Sequence, residues 1–276
     1  MAKKQSNEKK QFDNPNVVGL RAEVLEQPIT ETLEQNYMPY AMSVIISRAI
    51  PEIDGFKPSH RKLLYTMYKM GLLSGGRTKS ANIVGQTMRL NPHGDAAIYE
   101  TMVRLSKGYD ALLTPFVDSK GNFGKVYSRD MSYAASRYSE AKLSAICADI
   151  FGDIDKDTVE FNDNYDGSMK EPALLPTAFP NVLVSSNTGI AVGMASQICG
   201  FNLEEVCRAT IEYLQDPECD LFLSMPAPDF STGGEIIYDR TEMESIYNSG
   251  RGSFKVRARW RHIPKENIIE IYEIPY

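Results

Sequence analysis

The segment SRYSE, in which Arg137 precedes Tyr138, contains the residue types needed to attack a phosphodiester. A Tyr phenol has an ordinary pKa of about 10, so it attacks phosphorus only when its anion is stabilised. A neighbouring guanidinium can supply that stabilisation, because it stays charged and its planar fork grips phosphate oxygens. The pair predicts a nucleophile with a phosphate-binding neighbour. An Arg-Tyr dipeptide also occurs where the Tyr ring is half-buried in a core, so other motifs must decide.

Charge is distributed unevenly along the 276-residue chain. The net charge of −6 and the pI near 5.3 disfavour a nucleic-acid partner when taken alone, because phosphate binding depends on clustered Lys and Arg. Residues 41–108, however, contain ten basic and four acidic residues, whereas residues 145–170 contain seven acids and two lysines. A solvated basic face explains such a block by itself. The separation of basic and acidic residues into two blocks of the sequence also favours a polyanion-binding face, so both interpretations stay open here.

Hydrophobic periodicity predicts the elements that must position these residues. Apolar spacing and capping signals predict four helices: one from Tyr37 to before Pro51, one after a Ser59 cap, one after a Ser80 cap, and one from Asp95 to Gly108. Residues 112–127 predict a β-ribbon around the turn SKGN, and the residues after Tyr138 predict another helix. A helix-turn-helix followed by a ribbon is typical of a winged-helix domain.

We therefore expect a mixed α/β (α+β) chain in three parts. Residues 1–30 are polar and lack sustained periodicity, which predicts a flexible arm. Residues 31–157 contain the predicted winged helix. Residues 158–276 combine short predicted strands, Pro-rich turns, a Gly-bearing loop and a helix. They end on a strand, which indicates an incomplete domain of a longer protein.

Several function classes are disfavoured by what the sequence lacks. No stretch approaches the roughly 20 apolar residues of a membrane span, and no apolar segment follows the basic start to make a signal peptide, so a cytoplasmic protein is expected. Four scattered cysteines and three histidines predict neither a disulfide frame nor a metal site. The run Asp153, Asp155 and Asp157 lacks the Gly and the final Glu of an EF-hand, so we interpret it as a solvated acidic turn.

Three segments in this order closely resemble the breakage-reunion region of the A subunit of bacterial type IIA topoisomerases, DNA gyrase and topoisomerase IV. They are YAMSVIISRAIPEIDGFKPSHRKLLY (Tyr40–Tyr65), NPHGDAAIYETMVRL (Asn91–Leu105) and VDSKGNFGKVYSRDMSYAASRYSEAKL (Val117–Leu143). The resemblance extends through DNYDGSMKEPALLPTAFPNVLVSSNTGIAVGMAS to the final YEIPY, and so covers roughly residues 34–276. So many matched motifs are very rarely a coincidence. It implies that residues 31–157 are a winged-helix DNA-cleavage domain and that 158–276 begin an α/β tower domain.

The resemblance implies a catalytic role for four residues. Tyr138 would become linked to the 5′ phosphate of the cut strand, and Arg137 would bind the neighbouring phosphate. Arg48, in SRAIPE, matches an arginine that reaches the scissile phosphate. His93, in PHGD, matches an active-site histidine that can hydrogen-bond a phosphate oxygen or offset its charge.

The resemblance also implies residues that hold and bend DNA. Ile190, in NTGIAVG, matches an apolar wedge that enters a base step, although an Ile there also suits an ordinary core. The basic residues expected to hold DNA are Lys57, His60, Arg61, Lys62 and Lys79.

Departures from the family pattern concern phosphate and drug contacts. Asn91 stands where the family often has a histidine, so an amide that cannot carry charge replaces it. Ala96 occupies the position of a Ser that helps anchor quinolones through a metal-bound water, while Glu100 retains the acidic partner. Weakened quinolone sensitivity is therefore expected.

Cofactors and partners follow from the resemblance as well. It implies double-stranded DNA as substrate, a homodimer through the DNA gate, and an A2B2 complex in which the B subunit holds most of the Mg²⁺ and the ATP. The expected setting is the bacterial cytoplasm, in association with the nucleoid and without a membrane partner. Two alternatives remain: a winged-helix protein that does not cut DNA, and a tyrosine recombinase that needs no metal.

Overall fold

A computed structural model of the chain describes residues 10–12, 22–24 and 27–276. The helices are α1 (Ile29–Val44), α2 (Pro58–Lys69), α3 (Ser80–Thr87), α4 (Asp95–Arg104), α5 (Cys147–Phe151), α6 (Asn181–Val184), α7 (Leu203–Gln215) and α8 (Arg240–Ser249), with a π-helix at Ile45–Ala49 and a 3₁₀ turn at Leu221–Leu223. The strands are β1 (Lys10–Phe12), β2 (Ala22–Val24), β3 (Thr78–Lys79), β4 (Val117–Lys120), β5 (Glu140–Leu143), β6 (Phe161–Asp163), β7 (Lys170–Pro172), β8 (Asn187–Ile190), β9 (Ala195–Ile198), β10 (Glu235–Ile237), β11 (Lys255–Arg257), β12 (Arg259–Ile263) and β13 (Ile268–Glu273). The fold is therefore mixed α/β.

The first long helix begins eight residues earlier than its predicted start at Tyr37. Helix α1 starts at Ile29, directly after Pro28, and continues through Pro39. It then widens into the π-helix, which ends at Ala49 and is followed by Ile50 in an extended conformation. The end before Pro51 is confirmed, because the residue before a proline is pushed out of the helical region.

The main core lies between α2, α3 and α4 and a three-stranded antiparallel sheet. The strand order is β3-β5-β4, so β5 is central. Glu140 of β5 pairs with Lys79 of β3 on one side and with Lys120 of β4 on the other. The predicted helices at these positions are confirmed, because their apolar positions recur on one face and are buried. The largest fully buried side chains in this core include Phe56, Leu63, Leu64, Met67, Ile83, Leu90, Ile98, Met102, Phe116, Phe123 and Leu143.

The helix predicted directly after Tyr138 is wrong, because those residues form strand β5. Ala141 and Leu143 are buried while Glu140 and Lys142 are partly exposed, which is the period of two of a strand. Pairing on both sides outweighs the strong helical preference of the sequence EAKL. The predicted ribbon is only partly right: β4 forms, but its partner is β5, and FGKVY contributes one isolated bridge between Lys125 and Ser128.

The two serine caps are also wrong. Helix α2 begins at Pro58, one residue before Ser59, because a proline fits the first helical position, where its missing N–H costs nothing. Helix α3 begins with Ser80 itself, and neither helix has a side-chain cap hydrogen bond. The Ser80 hydroxyl is bonded instead to a distant serine, Ser139.

The C-terminal half consists mainly of two-stranded hairpins around a smaller core. Its buried apolar residues are Val184, Phe201, Val206, Ala209 and Met225. The predicted helix NLEEVCRATIEYLQ is confirmed as α7, which the side chain of Asn202 caps by accepting from the N–H of Glu204 at 2.9 Å. The predicted final hairpin is confirmed as β12–β13.

The predicted domain boundary after residue 157 stays a prediction. Leu175 is buried in the main core, and Val159, Met169 and Phe179 pack against it. The expected arm at 1–30 falls largely outside the described residues, of which β1 and β2 form an antiparallel pair. Among the described helices, none has the length and apolar character required to cross a membrane.

Candidate active site

Tyr138 lies on the loop that enters β5, with its side chain 66% exposed. The Arg137 guanidinium carbon is 4.7 Å from the centroid of the Tyr138 ring, a cation–π distance. This contact places a permanent positive charge against the phenol. The pair predicted from sequence is therefore together in space and open to solvent.

The backbone on either side of this pair is fixed to the start of α3. The Ser80 N–H donates to the carbonyl of Ser139 at 3.0 Å, and the Ala81 N–H donates to the carbonyl of Ser136 at 3.2 Å. The first N–H groups of a helix have no partner within it, so they are available for such bonds. Arg137 and Tyr138 consequently lie between two backbone anchors.

A chain of buried hydroxyl groups lies beneath the same loop. The Ser139 Oγ is 2.8 Å from the Ser80 Oγ and 2.8 Å from the Tyr99 hydroxyl. The Tyr99 hydroxyl also donates to the carbonyl of Ala134 at 2.9 Å. The sequence alone did not point to these residues, because Tyr99 and Ser139 are 40 positions apart and Ser80 and Ser139 are 59 positions apart. Only the sheet and the helices bring them together.

Four predicted residues line one basic cavity of about 780 Å³, namely Arg48, Arg61, Lys62 and His93. Arg48 is exposed on the π-helix and makes no ion pair with any other described residue. His93 is also exposed, and its backbone N–H donates to the carbonyl of Asn91 at 2.8 Å. Tyr138 is not among the residues that line this cavity. The chain therefore brings the predicted phosphate-binding residues together around a cavity that the predicted nucleophile does not line.

Arg61 and Lys62 are adjacent on α2 and have different partners. Arg61 is buried, and its guanidinium donates to both carboxylate oxygens of Asp54 at 2.8 and 3.0 Å. Lys62 Nζ donates to the carbonyl of Leu90 at 3.1 Å and lies 3.1 Å from a carboxylate oxygen of Glu171. Both cations are thus partly neutralised within the chain, and their role in holding DNA stays a prediction.

Lys57 and His60 face a second, smaller cavity of about 330 Å³, which they line with Arg104. Lys57 Nζ donates to the carbonyl of Thr188 at 2.8 Å. Desolvation, reinforced by three neighbouring cations, lowers the pKa of His60 to about 3. His60 is therefore neutral near pH 7, so it can offer a phosphate a hydrogen bond but no charge.

Three further predicted contact residues lie on exposed surfaces. Lys79 Nζ is 2.9 Å from a carboxylate oxygen of Glu140, and this hydrogen bond holds the pKa of the Glu140 carboxyl below its ordinary value. Ala96 and Glu100 are one turn apart on α4. Glu100 forms an ion pair with Arg104 at 2.7 Å.

Ile190 lies at the end of β8, at the tip of the β8–β9 hairpin, and is 82% exposed. The alternative that Ile190 is an ordinary core residue is therefore wrong. At Gly189 the hairpin packs closely against Ala49, and a side chain at this position would overlap the Ala49 carbonyl oxygen. Because Ala49 is the last residue of the π-helix, the hairpin that bears Ile190 packs against the element that carries Arg48.

The residues around the basic cavity do not fit a divalent cation. Magnesium is held by oxygen ligands, mainly carboxylates, whereas the cavity presents two arginines, a lysine and a histidine beside two carboxylates, of which Glu52 lies 4.0 Å from Arg61. Its Glu171 carboxylate lies against Lys62. No group of three His, Cys, Asp or Glu residues in the described part of the chain lies close enough together to hold a metal. In the acidic turn, Asp153 pairs with Lys156 and Asp155 accepts from Tyr68.

The sequence motifs, the paired Arg137 and Tyr138, and the basic cavity agree with one protein family. The family model that describes the A subunit of DNA gyrase and topoisomerase IV matches residues 48–276. The chain belongs to this family.

Similar proteins carry both names of the family. The DNA gyrase A subunit of Halalkalibacterium halodurans is 43% identical over 265 residues, which cover 93% of this chain and 31% of the relative. The DNA topoisomerase 4 A subunit of Rickettsia bellii is 43% identical over 256 residues, covering 88% and 34%. The DNA gyrase A subunit of Borreliella burgdorferi is 42% identical over 266 residues, covering 93% and 32%. The chain thus spans about a third of the length of these relatives.

Proposed function

We propose that this chain is the DNA-cleaving part of the A subunit of a type IIA topoisomerase and that Tyr138 is its nucleophile. The observation that carries the proposal is the exposed phenol of Tyr138, fixed on an anchored loop with the Arg137 guanidinium 4.7 Å from its ring. Family membership supports the same assignment. The proposed product is a reversible double-strand break through which a second duplex passes.

In the proposed reaction, the Tyr138 Oη forms a bond to phosphorus while the bond from phosphorus to the 3′ oxygen breaks. The proton lost by the phenol is balanced by one gained at the 3′ hydroxyl. Arg137 offsets the charge of the phosphate, and Arg48 and His93 bind its oxygens. The 5′-phosphotyrosine conserves the energy of the broken bond, so attack by the 3′ hydroxyl reseals the strand.

We also propose that the main core is a winged-helix domain. Its elements follow the order α2, β3, α3, α4, β4 and β5, and the sheet order is β3-β5-β4. In this arrangement a helix enters the major groove and the β4–β5 loop, which bears Tyr138, follows the backbone. The C-terminal hairpins then begin the tower domain.

The cleavage site is proposed to be completed by a second copy of the chain. Arg48 and His93 line one cavity, and Tyr138 does not. A dimer in which Tyr138 of one copy meets Arg48 of the other joins the nucleophile to the phosphate-binding residues. Two such sites related by a twofold axis cut both strands.

Mg²⁺ and ATP are proposed to be held by a B subunit in an A2B2 complex. The three cations that line the cavity outnumber its two carboxylates, which favours phosphate over a metal ion, so this chain offers positive charge to the DNA while carboxylates of the partner hold the metal. When bound, the metal would stabilise the attacking and leaving oxygens. The chain alone is therefore expected to be inactive.

Ile190 is proposed to bend the DNA by entering a base step. A β-branched side chain at an exposed hairpin tip can unstack a step, at a cost of a few kcal/mol, in exchange for wider contact with bent DNA. Met194, across the tip, is also exposed and adds apolar surface beside it. Lys57, Lys62 and Lys79 are proposed to follow the flanking phosphates.

The test is direct trapping of the covalent intermediate. The full-length protein is combined with its ATPase partner, Mg²⁺ and plasmid DNA, denatured rapidly, and analysed for protein attached to DNA. We expect an adduct with the wild type and with the control Tyr127→Phe, whose exposed ring lies in the same connection between β4 and β5. Tyr138→Phe should give none.

Three outcomes reject the proposal. Absence of an adduct in the wild type favours a DNA-binding protein that does not cut, and persistence of the adduct in Tyr138→Phe excludes this nucleophile. An adduct that forms equally well after chelation of Mg²⁺ would instead favour a tyrosine recombinase.

A further inference from the structure

We propose that the hydroxyl groups of Ser80, Tyr99 and Ser139 are a positioning device that fixes the phenol of Tyr138 for attack. This inference rests on the proposed role of Tyr138. None of the three touches the reacting atoms, so they act through the loop and not on the phosphate. What they determine is where the loop holds the nucleophile.

The three hydroxyls come from three different elements. Ser80 is the first residue of α3, Tyr99 lies in α4, and Ser139 directly follows Tyr138. The oxygens are joined at 2.8 Å each, and the chain ends on the carbonyl of Ala134, 2.9 Å from the Tyr99 hydroxyl. The bonds therefore hold the loop at Ala134 and at Ser139, on both sides of the nucleophile.

Because these hydroxyls are buried, the loss of any one hydrogen bond is costly. Ser80 and Ser139 are fully buried, and the Tyr99 side chain is nearly so. The Ser139 hydroxyl donates to the Ser80 Oγ, and the Tyr99 hydroxyl donates to the carbonyl of Ala134. Burial also raises the pKa of the Tyr99 phenol, which keeps it protonated and able to donate. Removal of any of these hydroxyls leaves a buried polar atom without its partner.

The surrounding backbone removes other ways for the loop to move. The α3 N–H groups of Ser80 and Ala81 hold the carbonyls of Ser139 and Ser136. On the opposite side, Gly121 has a φ of +107°, and a side chain there would lie 3.3 Å from the Ser139 Cα. The backbone of the loop is thus confined by α3 on one side and by Gly121 on the other. Within these limits, the hydrogen-bonded hydroxyls determine the position of Ser139 and hence of Tyr138.

In this arrangement, the three hydroxyls affect the rate of DNA cleavage and not the affinity for DNA. The DNA contacts proposed above lie on other residues, and they remain when a buried hydroxyl is removed. A nucleophile displaced by about 1 Å, however, can lose about 100-fold in rate. The inference therefore predicts slower cleavage with unchanged DNA affinity.

The experiment uses the full-length protein with its ATPase partner and measures three quantities for each variant. They are the single-turnover rate of adduct formation with Mg²⁺, the Kd for a duplex by fluorescence anisotropy, and the thermal midpoint. We expect Tyr99→Phe and Ser139→Ala to slow adduct formation about 10- to 100-fold with Kd within about twofold of wild type. Ser139→Thr, which keeps the hydroxyl, should recover most of the rate.

The matched control is Tyr68→Phe. Its hydroxyl also makes a hydrogen bond, to Asp155, but that bond lies on the side of α2 near the acidic turn and touches no part of the Tyr138 loop. Its rate of adduct formation should be that of the wild type. If Tyr99→Phe does not fold, the comparison of Ser139→Ala with Ser139→Thr decides by the same measurements.

Three results overturn the inference. They are wild-type rates in Tyr99→Phe and Ser139→Ala, parallel losses of rate and DNA affinity, and a rate in Ser139→Thr as low as in Ser139→Ala. In each case Tyr138→Phe still abolishes the adduct, so the proposed function survives. Failure of the wild type to form any adduct is the separate result that rejects the proposed function itself.

Discussion

Replacing Asp54 by Asn is expected to destabilise the chain far more than a similar change in a surface ion pair. Asp54 and Arg61 are 2% and 5% exposed, so their ion pair is almost completely removed from water. Breaking such a pair by removing one charge costs about 3–5 kcal/mol, because the remaining charge stays buried without compensation.

The contacts of Asp54 give the same magnitude. Its two oxygens accept from the N–H groups of Phe56 and Leu175 and from two nitrogens of Arg61, at 2.8 to 3.0 Å. In Asn, an NH₂ group replaces one oxygen, so two of these donors lose their acceptor. At about 1–3 kcal/mol for each of the two unpaired buried groups, the expected loss is about 2–6 kcal/mol, a range that contains the first figure.

Asp118→Asn is the matched control. Asp118 also pairs with an arginine, Arg77, at 2.7 Å, but both side chains are partly exposed. An exposed pair contributes about 0–1 kcal/mol, so this variant should be almost as stable as the wild type. Arg61→Met added to Asp54→Asn should recover part of the loss, because it removes the uncompensated charge.

The assay is urea unfolding at pH 7, followed by circular dichroism at 222 nm, with the free energy of unfolding obtained by linear extrapolation. Equal losses in Asp54→Asn and Asp118→Asn would refute the reasoning from burial. So would a double variant less stable than Asp54→Asn alone, since the isolated charge would then not be the source of the cost.

Three further predictions concern the proposed wedge, the partly buried His60 and the drug-contact region. Ile190→Ala should weaken DNA bending, measured by energy transfer between the ends of a labelled duplex, without lowering stability; Leu214→Ala, a similarly exposed residue on α7, should do neither. Because the pKa of His60 is about 3 in the folded chain and about 6.5 when unfolded, the free energy of unfolding should fall as pH decreases below about 6.5, by up to about 1.4 kcal/mol per pH unit. His60→Gln should flatten that slope in urea titrations, and an unchanged slope would contradict the assignment. Ala96→Ser should increase quinolone potency in a cleavage assay, and unchanged potency would count against the expected drug contact.

The helical part of the fold was largely predictable. In α2 and α4 the apolar residues recur at helical spacing, and the same residues are buried, so periodicity alone locates these helices. The start of α1 was missed because its first turns are exposed and carry no apolar stripe in a core. Strand β5 was missed because its four residues all favour a helix and become a strand only between two neighbouring strands, which a local pattern does not show.

The candidate site was predictable in its chemistry but not in its geometry. Tyr138, Arg137 and Arg48 are carried by motifs that can be read along the chain. The separation of Tyr138 from the Arg48 cavity, and the partners that neutralise Arg61 and Lys62, depend on contacts between distant segments. The buried serine and tyrosine hydroxyls gave no signal, because such residues are ordinary in any surface turn until their neighbours are known.

The close approach of Gly189 to Ala49 has a mechanical consequence. The hairpin that bears Ile190 touches the last turn of the Arg48 helix through main-chain atoms, with no flexible side chain between them to absorb a displacement. Close-packed backbone is stiff and transmits strain. In the proposed complex, a force that DNA exerts on the hairpin tip is therefore passed to the π-helix that carries Arg48, so that bending of the duplex and the position of this arginine are coupled through one rigid contact.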